Sequence, residues 1–406
     1  MKTIVVIGGG PAGMMAAGAA SKNGISVLLL EKNEKLGKKL HITGKGRCNL
    51  TNDSDVDNHM SNVVSNPRFL HSAYWSMDSA ALKTFFEIRG VPLKTERGGR
   101  VFPVSDKAYD INDALRAYLK TKGVQTKLNF EVKNIDYDGT RFMVSGITAD
   151  AVIIATGGLS YPSTGSTGDG YKWAKEVGHT ITPTCPALVP LVSSETWIPS
   201  LEGLSLKNVK CSLRMGSALI YEEIGEMMFT KTGITGPLVL SASAHLAGKT
   251  GVVSIDLKPG LTPDLLDARM LRDFETNKNK NFANALEGLL PQRLVETIIK
   301  LSQIPSDKKI HTISRKERQD LVCLLKNIEI PITGNAGYKE AVITKGGINT
   351  KELNPSTMMS KLIPGLFFAG EVLDVDALTG GYNMQIAFST GHLAGVSAIK
   401  YIHERE

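Results

Sequence analysis

The chain has 406 residues, of which 42% are hydrophobic and 21% are charged. This length and balance are typical of a soluble enzyme with two or three domains, each large enough to bury its own core. A net charge of +7 is spread over short, separated basic groups, which does not indicate a nucleic-acid-binding face. No apolar run reaches the length that a membrane span needs. We therefore expect a cytoplasmic protein without a membrane partner, and a nucleic acid is not the favoured partner.

The first motif follows a short apolar strand at the start of the chain. Gly8, Gly10 and Gly13 form a Gly-x-Gly-x-x-Gly turn into a helix, and a second predicted strand, residues 25–30, ends beside Glu31. Such glycines allow a tight turn and a close approach of backbone to a diphosphate, whose charge faces the helix N-terminus. The carboxylate can accept hydrogen bonds from ribose hydroxyl groups. The segment therefore predicts a dinucleotide-binding βαβ unit.

Two later segments favour FAD as the dinucleotide. Residues 151–158 and 365–371 both predict buried strands, and the second is followed by Asp374. Glu371 and Asp374 can accept hydrogen bonds from a ribityl chain. The last predicted helix opens at residues 380–385, and its N-terminus can face the flavin N1/C2=O edge, where negative charge develops on reduction.

Six segments carry a family resemblance: 37–52, 100–103, 157–162, 165–170, 229–237 and 370–374. Together they resemble the YhiN/BaiN-type flavoproteins, which are bacterial FAD-dependent oxidoreductases also labelled aminoacetone oxidase-like. The resemblance spans nearly the whole chain. It implies an α/β fold in which a glutathione-reductase-type FAD-binding Rossmann domain is interrupted by an inserted β-barrel-like domain carrying a nested helical subdomain. The resemblance thus indicates the cofactor and the fold more narrowly than the substrate.

The domain boundaries follow from changes in sequence texture. Thr262 with Pro263, and Ser314 with Glu317, are helix-start signals between stretches with strand periodicity. We predict a first part of the FAD-binding domain at 1–189, a β-barrel-like part of the insert at 190–260, a nested helical subdomain at 261–327, a returning β part at 328–343, and the second part of the FAD-binding domain at 344–406.

The predicted FAD contacts come from every part of this framework. Lys38 and Lys39 are expected to offset the diphosphate charge, and the loop 43–52 to cross the isoalloxazine. Residues 124–137 read as a strand, in which the resemblance implies that the Val132 backbone holds the adenine. The full set of predicted cofactor residues is Gly8, Gly10, Pro11, Ala12, Gly13, Glu31, Lys32, Lys38, Lys39, Thr43, Gly44, Arg47, Cys48, Asn49, Val132, Ala155, Thr156, Gly157, Gly370, Glu371, Asp374, Gly381, Tyr382, Asn383 and Met384.

The cysteines exclude one activity. Cys48, Cys185, Cys211 and Cys323 include no close pair, and the eight histidines are dispersed, so the sequence predicts neither a disulfide framework nor a metal site. Disulfide reductases of this fold need two adjacent thiols, and only Cys48 lies in the corresponding stretch. Cys48 is expected to be a small buried residue, with a lone redox thiol as the alternative.

The predicted function is an FAD-dependent oxidoreductase that passes a hydride through flavin N5 to or from a small organic substrate, and the basic net charge would suit an anionic one. Both a reductase of activated C=C bonds and an amine-type oxidase fit. Arg47 is the main catalytic candidate, with an ion pair inside its own loop as the alternative. Tyr161 and Arg100 are weaker candidates for proton donor and substrate clamp, and a structural role is the favoured alternative for each. No second glycine fingerprint follows another strand, so NAD(P)H is expected at most as a transient donor. A flavoprotein acting on RNA and a non-catalytic flavin-binding protein remain alternatives.

Overall fold

A computed structural model describes residues 2–22 and 24–405. The strands, numbered along the chain, are β1 Lys2–Ile7, β2 Ile25–Leu30, β3 Thr51–Asn52, β4 Val63–Ser65, β5 Leu93–Glu96, β6 Arg100–Pro103, β7 Gln125–Lys127, β8 Ile135–Tyr137, β9 Phe142–Val144, β10 Ile147–Ala149, β11 Ala151–Ile154, β12 Ile181–Ala187, β13 Leu191–Ser193, β14 Ser205–Met215, β15 Ala218–Phe229, β16 Gly233–Thr235, β17 Gly251–Asp256, β18 Ile328–Asn335, β19 Ile343–Ile348, β20 Leu366–Phe368 and β21 Asp376–Ala377. The helices are α1 Pro11–Ala19, α2 Val56–Ser61, α3 His71–Ser76, α4 Ser79–Glu87, α5 Ala108–Thr121, α6 Asp169–Glu176, α7 Pro237–Leu246, α8 Pro263–Thr276, α9 Gln292–Ser302, α10 Arg315–Lys326 and α11 Tyr382–His403.

The chain folds into two compact units. We call Met1–Ala187 together with Gly337–Glu406 the sheet unit, and Leu188–Ala336 the barrel unit. Each unit has its own cluster of buried apolar side chains. Since the sheet unit is assembled from both ends of the sequence, the barrel unit is an insertion in it.

A five-stranded sheet in the order β20-β11-β1-β2-β7 forms the centre of the sheet unit, and every neighbouring pair is parallel. Ile4, Val5 and Val6 are completely buried, as expected for a parallel strand covered on both faces. Ile7 is in register with Leu30 and with Ile154. The carboxyl ends of these strands therefore lie at one edge of the sheet, where ligands bind in α/β folds.

Helices α1 and α11 pack against each other backbone to backbone. A Cβ atom on Gly391 would overlap the Ala12 carbonyl oxygen, and one on Gly395 would overlap that of Ala16. Moving four residues forward along α11, from Gly391 to Gly395, moves the contact four residues forward along α1, from Ala12 to Ala16. The two helices therefore run parallel. Ala12 is the second residue of α1 and Gly391 the tenth of α11. At 1.5 Å per residue, the N-terminus of α11 therefore projects about 12 Å beyond that of α1.

Smaller antiparallel sheets complete the sheet unit. They are β3-β6-β5, β10-β9-β8, β12-β19 and β21-β4. Thr51 pairs with Val101 and Asn52 with Arg100, so β6 fixes the end of the loop that precedes β3. These pairings bring the loop 43–52 beside the β5–β6 hairpin.

The barrel unit contains a closed barrel in the order β13-β16-β15-β14-β17-β18. Helices α8, α9 and α10 lie between β17 and β18 in the chain. Thr262 caps α8 through a bond from the Leu265 N–H, and Ser314 and Glu317 form the reciprocal capping box of α10. Both predicted helix starts are thus confirmed, as is an α/β Rossmann fold with a β-barrel. Within the described residues, every helix is too short or too polar to cross a bilayer.

Candidate active site

The first glycine turn is fixed by contacts inside the protein. Gly8 has φ +107° and donates its N–H to the Leu30 carbonyl at 2.8 Å. A Cβ atom there would overlap the Ala155 carbonyl oxygen, and a Cβ on Gly13 would overlap the carbonyl oxygen of Gly8. At Gly10 a Cβ would have no neighbour within 4 Å. Gly8 and Gly13 are thus required by packing, whereas Gly10 faces open space through which a diphosphate can approach.

The N-terminus of α1 is suited to an anion. Gly10 is its N-cap and provides no side chain to bond the first N–H groups, and Pro11 opens the helix with no acidic residue in the first turn. The unpaired N–H groups and the helix dipole therefore present positive potential beside Gly10 and Ala12.

Glu31 lies directly after β2 and is only 8% exposed. Its Oε2 accepts the Gly9 N–H at 2.6 Å, and its Oε1 accepts both the backbone N–H and the side-chain amide of Asn33 at 2.8 and 2.7 Å. Three donors hold the carboxylate in one orientation beside the phosphate loop. Its remaining lone pairs can accept from ribose hydroxyl groups.

The three predicted lysines all have acceptors within the protein. Lys32 Nζ lies 2.7 Å from Asp169 Oδ2, and Lys39 Nζ lies 2.6 Å from Glu371 Oε2. Lys38 makes a longer contact of 3.4 Å with a neighbouring glutamate. Their charges are partly matched by carboxylates, so backbone N–H groups supply much of the positive potential for a diphosphate.

The loop before β3 has an unusual backbone. Gly44, Lys45 and Gly46 have φ values of +56°, +58° and +84°, and Cys48 has φ +60°. Positive φ is costly for residues other than glycine, so Lys45 and Cys48 store strain of the kind that functional loops often contain. The side-chain oxygen of Asn49 is buried without a hydrogen-bond partner among the described residues. It is therefore ready to accept from a bound group.

Thr43 and Cys48 close this loop. The Cys48 N–H donates to the Thr43 carbonyl at 3.1 Å, and Thr43 Oγ1 donates to the Leu40 carbonyl at 2.7 Å. Burial raises the pKa of Cys48 to about 12, so its thiol stays protonated at neutral pH. All four cysteines are free thiols. A protonated, buried thiol is a poor nucleophile, which favours a packing role for Cys48.

The ends of β11 and β20 contribute small residues and one unpaired hydroxyl. Thr156 Oγ1 follows Ala155 and is buried without a partner among residues 2–22 and 24–405. Gly157 and Gly370 have φ values of +73° and +77°. The Gly370 N–H is held by Thr390 Oγ1 at 2.9 Å. The backbone at the ends of β11 and β20 thus has a conformation that allows a ligand to approach it closely.

The acidic residues beyond β20 are oriented by backbone contacts. Glu371 Oε1 accepts the Thr344 N–H at 2.9 Å. Asp374 is half-buried, and its carbonyl accepts from the Asn66 amide at 2.7 Å. Neither residue is turned away into the core, so both remain candidates to bind a ribityl chain.

The N-terminus of α11 has no side-chain cap, and the loop before it is fixed by contacts within the protein. A Cβ atom on Gly381, which has φ +105°, would overlap the Thr51 carbonyl oxygen. Asn383 bonds the Ala377 N–H and carbonyl at 2.9 and 2.7 Å, which pins the preceding loop. The helix has no side-chain cap and no acidic residue in its first turn, which includes Tyr382 and Met384. Its N–H groups can therefore face the pyrimidine edge of a flavin.

Arg47 and Arg100 share one carboxylate. Arg47 forms ion pairs with Glu96 and, at 2.8 Å, with Asp106, and its guanidinium lies 4.0 Å from the Phe102 ring centroid. The hydrogen bond to Glu96 is the main reason that the pKa of Arg47 is raised. Arg100 Nη2 lies 3.9 Å from Glu96. The structure thus brings the two predicted arginines together.

Tyr161 lies in a different set of contacts. It has φ +53° and donates its N–H to the Tyr338 carbonyl at 3.0 Å. Burial, with Glu340 nearby, raises the pKa of its hydroxyl, so the group keeps its proton at neutral pH. No contact joins Tyr161 to Arg47 or Arg100 within the described ranges.

Sequence reasoning missed the residues that organise this site. The sequence pattern does not identify Glu96 or Asp106, although Glu96 precedes Arg100 by four positions. Asn52 was also missed: its amide donates to the carbonyl oxygens of Gly98 and Gly380 at 2.9 and 3.1 Å. It joins the β5–β6 hairpin to the entry of α11. No local pattern identifies Asn52, since its partners lie far away in the sequence.

The prediction of one continuous strand over residues 124–137 is wrong for residues 128–134. Strands form only at Gln125–Lys127 and Ile135–Tyr137, and the segment between them is irregular. There the Phe130 N–H donates to the Glu31 carbonyl at 2.9 Å, which pulls the chain toward the end of β2. Val132 is 7% exposed, and nothing in the described part of the chain hydrogen-bonds its backbone. The irregular backbone leaves those groups available for an adenine.

These features fit FAD. The two uncapped helix N-termini, set about 12 Å apart along the helix axis, match a diphosphate and a flavin ring joined by a ribityl chain. Glu31 lies beside the phosphate loop with lone pairs free to accept hydrogen bonds, and the unpaired oxygens of Asn49 and Thr156 lie at loop and strand ends of the same unit. No cluster of three metal-ligating side chains occurs within residues 2–22 and 24–405.

Comparison with known proteins agrees with this geometry. Residues 2–397 match the family model described as HI0933-like protein Rossmann domain. The chain is 32% identical to a 3-dehydro-bile acid delta(4,6)-reductase of Clostridium scindens, over 98% of this chain and 99% of that one. It is 32% identical to a ribosomal RNA dihydrouridine synthase of Escherichia coli, over 95% of each. The solved 3-ketosteroid-delta4-(5alpha)-dehydrogenase of Rhodococcus jostii RHA1 shares the fold, with a TM-score of 0.52, 16% identity and coverage of 98% and 97%.

Proposed function

The chain belongs to the HI0933-like family of Rossmann-domain, FAD-dependent oxidoreductases, and from this premise we propose that it reduces a carbon–carbon double bond conjugated to a carbonyl group. The names of two relatives that match nearly the whole chain describe this kind of chemistry. One is a reductase of 3-dehydro-bile acid double bonds, and the other saturates a uracil ring. A C=C reductase accounts for both names better than an amine-type oxidase does.

The observation that carries this proposal is the link that Asn52 makes between Arg100 and the uncapped N-terminus of α11. Asn52 pairs with Arg100 across the β3–β6 ladder, and its amide donates to Gly380 just before the uncapped N-terminus of α11. Addition of hydride to a conjugated double bond places negative charge on the carbonyl oxygen. Preorganised donors and cations at this position stabilise that charge without reorganisation.

Each residue has a proposed role in binding, orientation or proton transfer. FAD supplies the hydride-transfer chemistry when bound. Arg47 and Arg100 bind the carbonyl or an anionic group of the substrate, and Glu96 and Asp106 hold the Arg47 guanidinium in place. Tyr161 keeps its proton at neutral pH and is proposed to donate it to the substrate carbon.

The cysteines argue against a competing reaction. Disulfide reduction at a flavin requires a pair of reactive thiols. The described cysteines are all free, and Cys48 is buried and protonated. We propose NAD(P)H as a transient donor, because the described residues form a single five-stranded parallel sheet of the Rossmann kind.

Anaerobic stopped-flow spectroscopy on the FAD-loaded protein tests this function. We expect NADH or NADPH to bleach the flavin, and a cyclic enone or a conjugated 3-oxo steroid to restore its colour. The saturated ketone of the same skeleton is the matched control and should leave the flavin reduced. Bleaching by primary amines, with reoxidation by oxygen alone, would instead establish an oxidase.

Replacement of Arg47 by alanine should leave FAD bound and slow reoxidation by the enone. The expected loss is about 10- to 100-fold, the size of one hydrogen bond to a charged group. Arg116→Ala removes an exposed arginine from α5 and serves as the control. Rates equal to those of the unmodified protein would exclude Arg47 from catalysis and leave it a purely structural ion-pair partner.

RNA is a second candidate substrate, and the charge distribution favours it. Residues 34–49 contain five basic and one acidic residue, and residues 92–107 contain four basic and two acidic residues. The two segments are far apart in sequence but joined in the structure, where Leu50 donates to the Val101 carbonyl at 2.8 Å. They therefore hold most of the +7 net charge on one part of the fold. A uridine-containing RNA as the reoxidant, with retention that falls steeply with salt, distinguishes this substrate from a small molecule.

A further inference from the structure

A layer of buried polar side chains lies beneath the first turns of α11. Gln385, Thr51 and Ser79 are at most 5% exposed. Thr51 donates to the Gln385 side-chain oxygen at 2.6 Å, and Ser79 donates to the Asn52 carbonyl at 2.5 Å. Buried polar groups are normally paired in this way. An unpaired group in the same layer therefore indicates a missing partner.

Two adjacent aromatic residues of this layer each have an unpaired polar atom. His59 and Tyr74 are both 1% exposed, and their ring centroids lie 5.3 Å apart. Neither His59 Nδ1 nor Tyr74 Oη has a hydrogen-bond partner among the described residues. The two unpaired atoms belong to neighbouring rings, so one small molecule can serve both.

The two atoms are complementary in hydrogen bonding. His59 Nε2 lies 3.0 Å from the Asn52 carbonyl, which can only accept, so Nε2 is the protonated nitrogen. Burial lowers the pKa of His59, so the ring is neutral and Nδ1 is an acceptor. Burial also raises the pKa of Tyr74, so its hydroxyl remains a donor. A donor and an acceptor on neighbouring buried rings, each without a partner among the described residues, are suited to a bridging water.

We propose that one ordered water molecule binds between Tyr74 Oη and His59 Nδ1, and that the chain Tyr74–water–His59–Asn52 positions the N-terminus of α11 toward the flavin. The His59 ring packs edge-to-face on Tyr382, the first residue of α11, with centroids 5.1 Å apart. Its Nε2–H donates to the carbonyl of Asn52, whose side-chain amide in turn holds the Gly380 carbonyl. His59 and Tyr74 are thus positioning residues, and their effect on the cofactor rests on FAD binding at α11.

The Tyr74→Phe variant tests whether the water is present, because the two cases predict opposite changes in the unfolding temperature. If the layer is dry, the substitution removes an unsatisfied hydroxyl and raises the unfolding temperature or leaves it unchanged. If the water is present, the substitution leaves it with too few partners and lowers the unfolding temperature. The measurement is made on the apoprotein, so it does not depend on the cofactor. A high-resolution crystal structure of the unmodified protein gives a second reading, since density between the two atoms supports the proposal and an empty gap overturns it.

The affinity of the oxidised flavin for sulfite tests the positioning role, because positive potential near the flavin pyrimidine edge strengthens that adduct. Tyr74→Phe should weaken sulfite binding about two- to fivefold, the size of a helix-terminus interaction. Tyr118→Phe alters another largely buried tyrosine, on α5, and should leave sulfite affinity unchanged. Unchanged affinity in Tyr74→Phe would overturn the positioning role. A protein that refuses FAD would instead contradict the cofactor assignment, while the stability result would still decide on the water.

Discussion

Replacement of Gly13 by alanine is expected to abolish FAD retention and to destabilise the protein by about 3 kcal/mol or more. The added Cβ would overlap the Gly8 carbonyl oxygen, which is backbone and cannot move without disrupting the turn. Gly8 in turn lies against the Ala155 carbonyl, so the displacement reaches the neighbouring strand end. Flavin absorbance per mole of protein and the unfolding temperature of the apoprotein measure the two effects.

Gly10→Ala is the matched control for this result. Its Cβ would meet no protein atom within 4 Å, so the apoprotein should keep its unfolding temperature. FAD affinity should nevertheless fall, because the methyl group occupies the space through which the diphosphate approaches. Equal apoprotein stability in Gly13→Ala and Gly10→Ala would contradict the distinction between packing and ligand approach.

Replacement of Glu31 by alanine is expected to weaken FAD binding about 100-fold. The substitution removes the proposed acceptor for the ribose hydroxyl groups. It also leaves the Gly9 and Asn33 N–H groups without their present partner, and the loss at the buried Gly9 N–H alone costs about 1–3 kcal/mol. Equilibrium titration of the apoprotein with FAD, followed by quenching of flavin fluorescence, measures the loss.

Glu34→Ala is the control for charge. Glu34 lies three positions further on, and its side chain is 59% exposed. Removing it changes the net charge by the same amount without touching the phosphate loop, so FAD affinity should stay close to that of the unmodified protein. If the two variants lost affinity equally, the effect would be one of overall charge, and the role proposed for Glu31 would be wrong.

The parts of the fold that depend on local sequence were predictable. Gly8 must adopt a positive φ between an apolar strand and a helix, and Ser314 with Glu317 must form a capping box, because neighbours a few residues away impose both. The α/β Rossmann fold and the FAD cofactor could be predicted for the same reason, because glycine turns at strand ends leave a clear pattern in the sequence. The family match confirms both predictions. The roles of individual site residues stay predictions.

The parts that depend on distant contacts were not predictable. Residues 128–134 have strand composition, but the bond from Phe130 to Glu31 draws them out of a ladder. The partners of Arg47 lie 49 and 59 positions away, at Glu96 and Asp106. The sequence also separates the two basic segments that the β3–β6 pairing joins. In each case, tertiary contacts decide what local periodicity leaves open.

The close packing of α1 on α11 has a consequence for biosynthesis. The strands β1, β2, β7 and β11 leave the ribosome before the whole barrel unit is made, whereas β20 and α11 follow it. A nascent polypeptide that has completed its first glycine turn therefore still lacks α11, the helix whose uncapped N-terminus is proposed to face the flavin. Tight capture of the coenzyme must wait until translation has passed Gly395, which makes holoenzyme formation a late step in the maturation of each molecule.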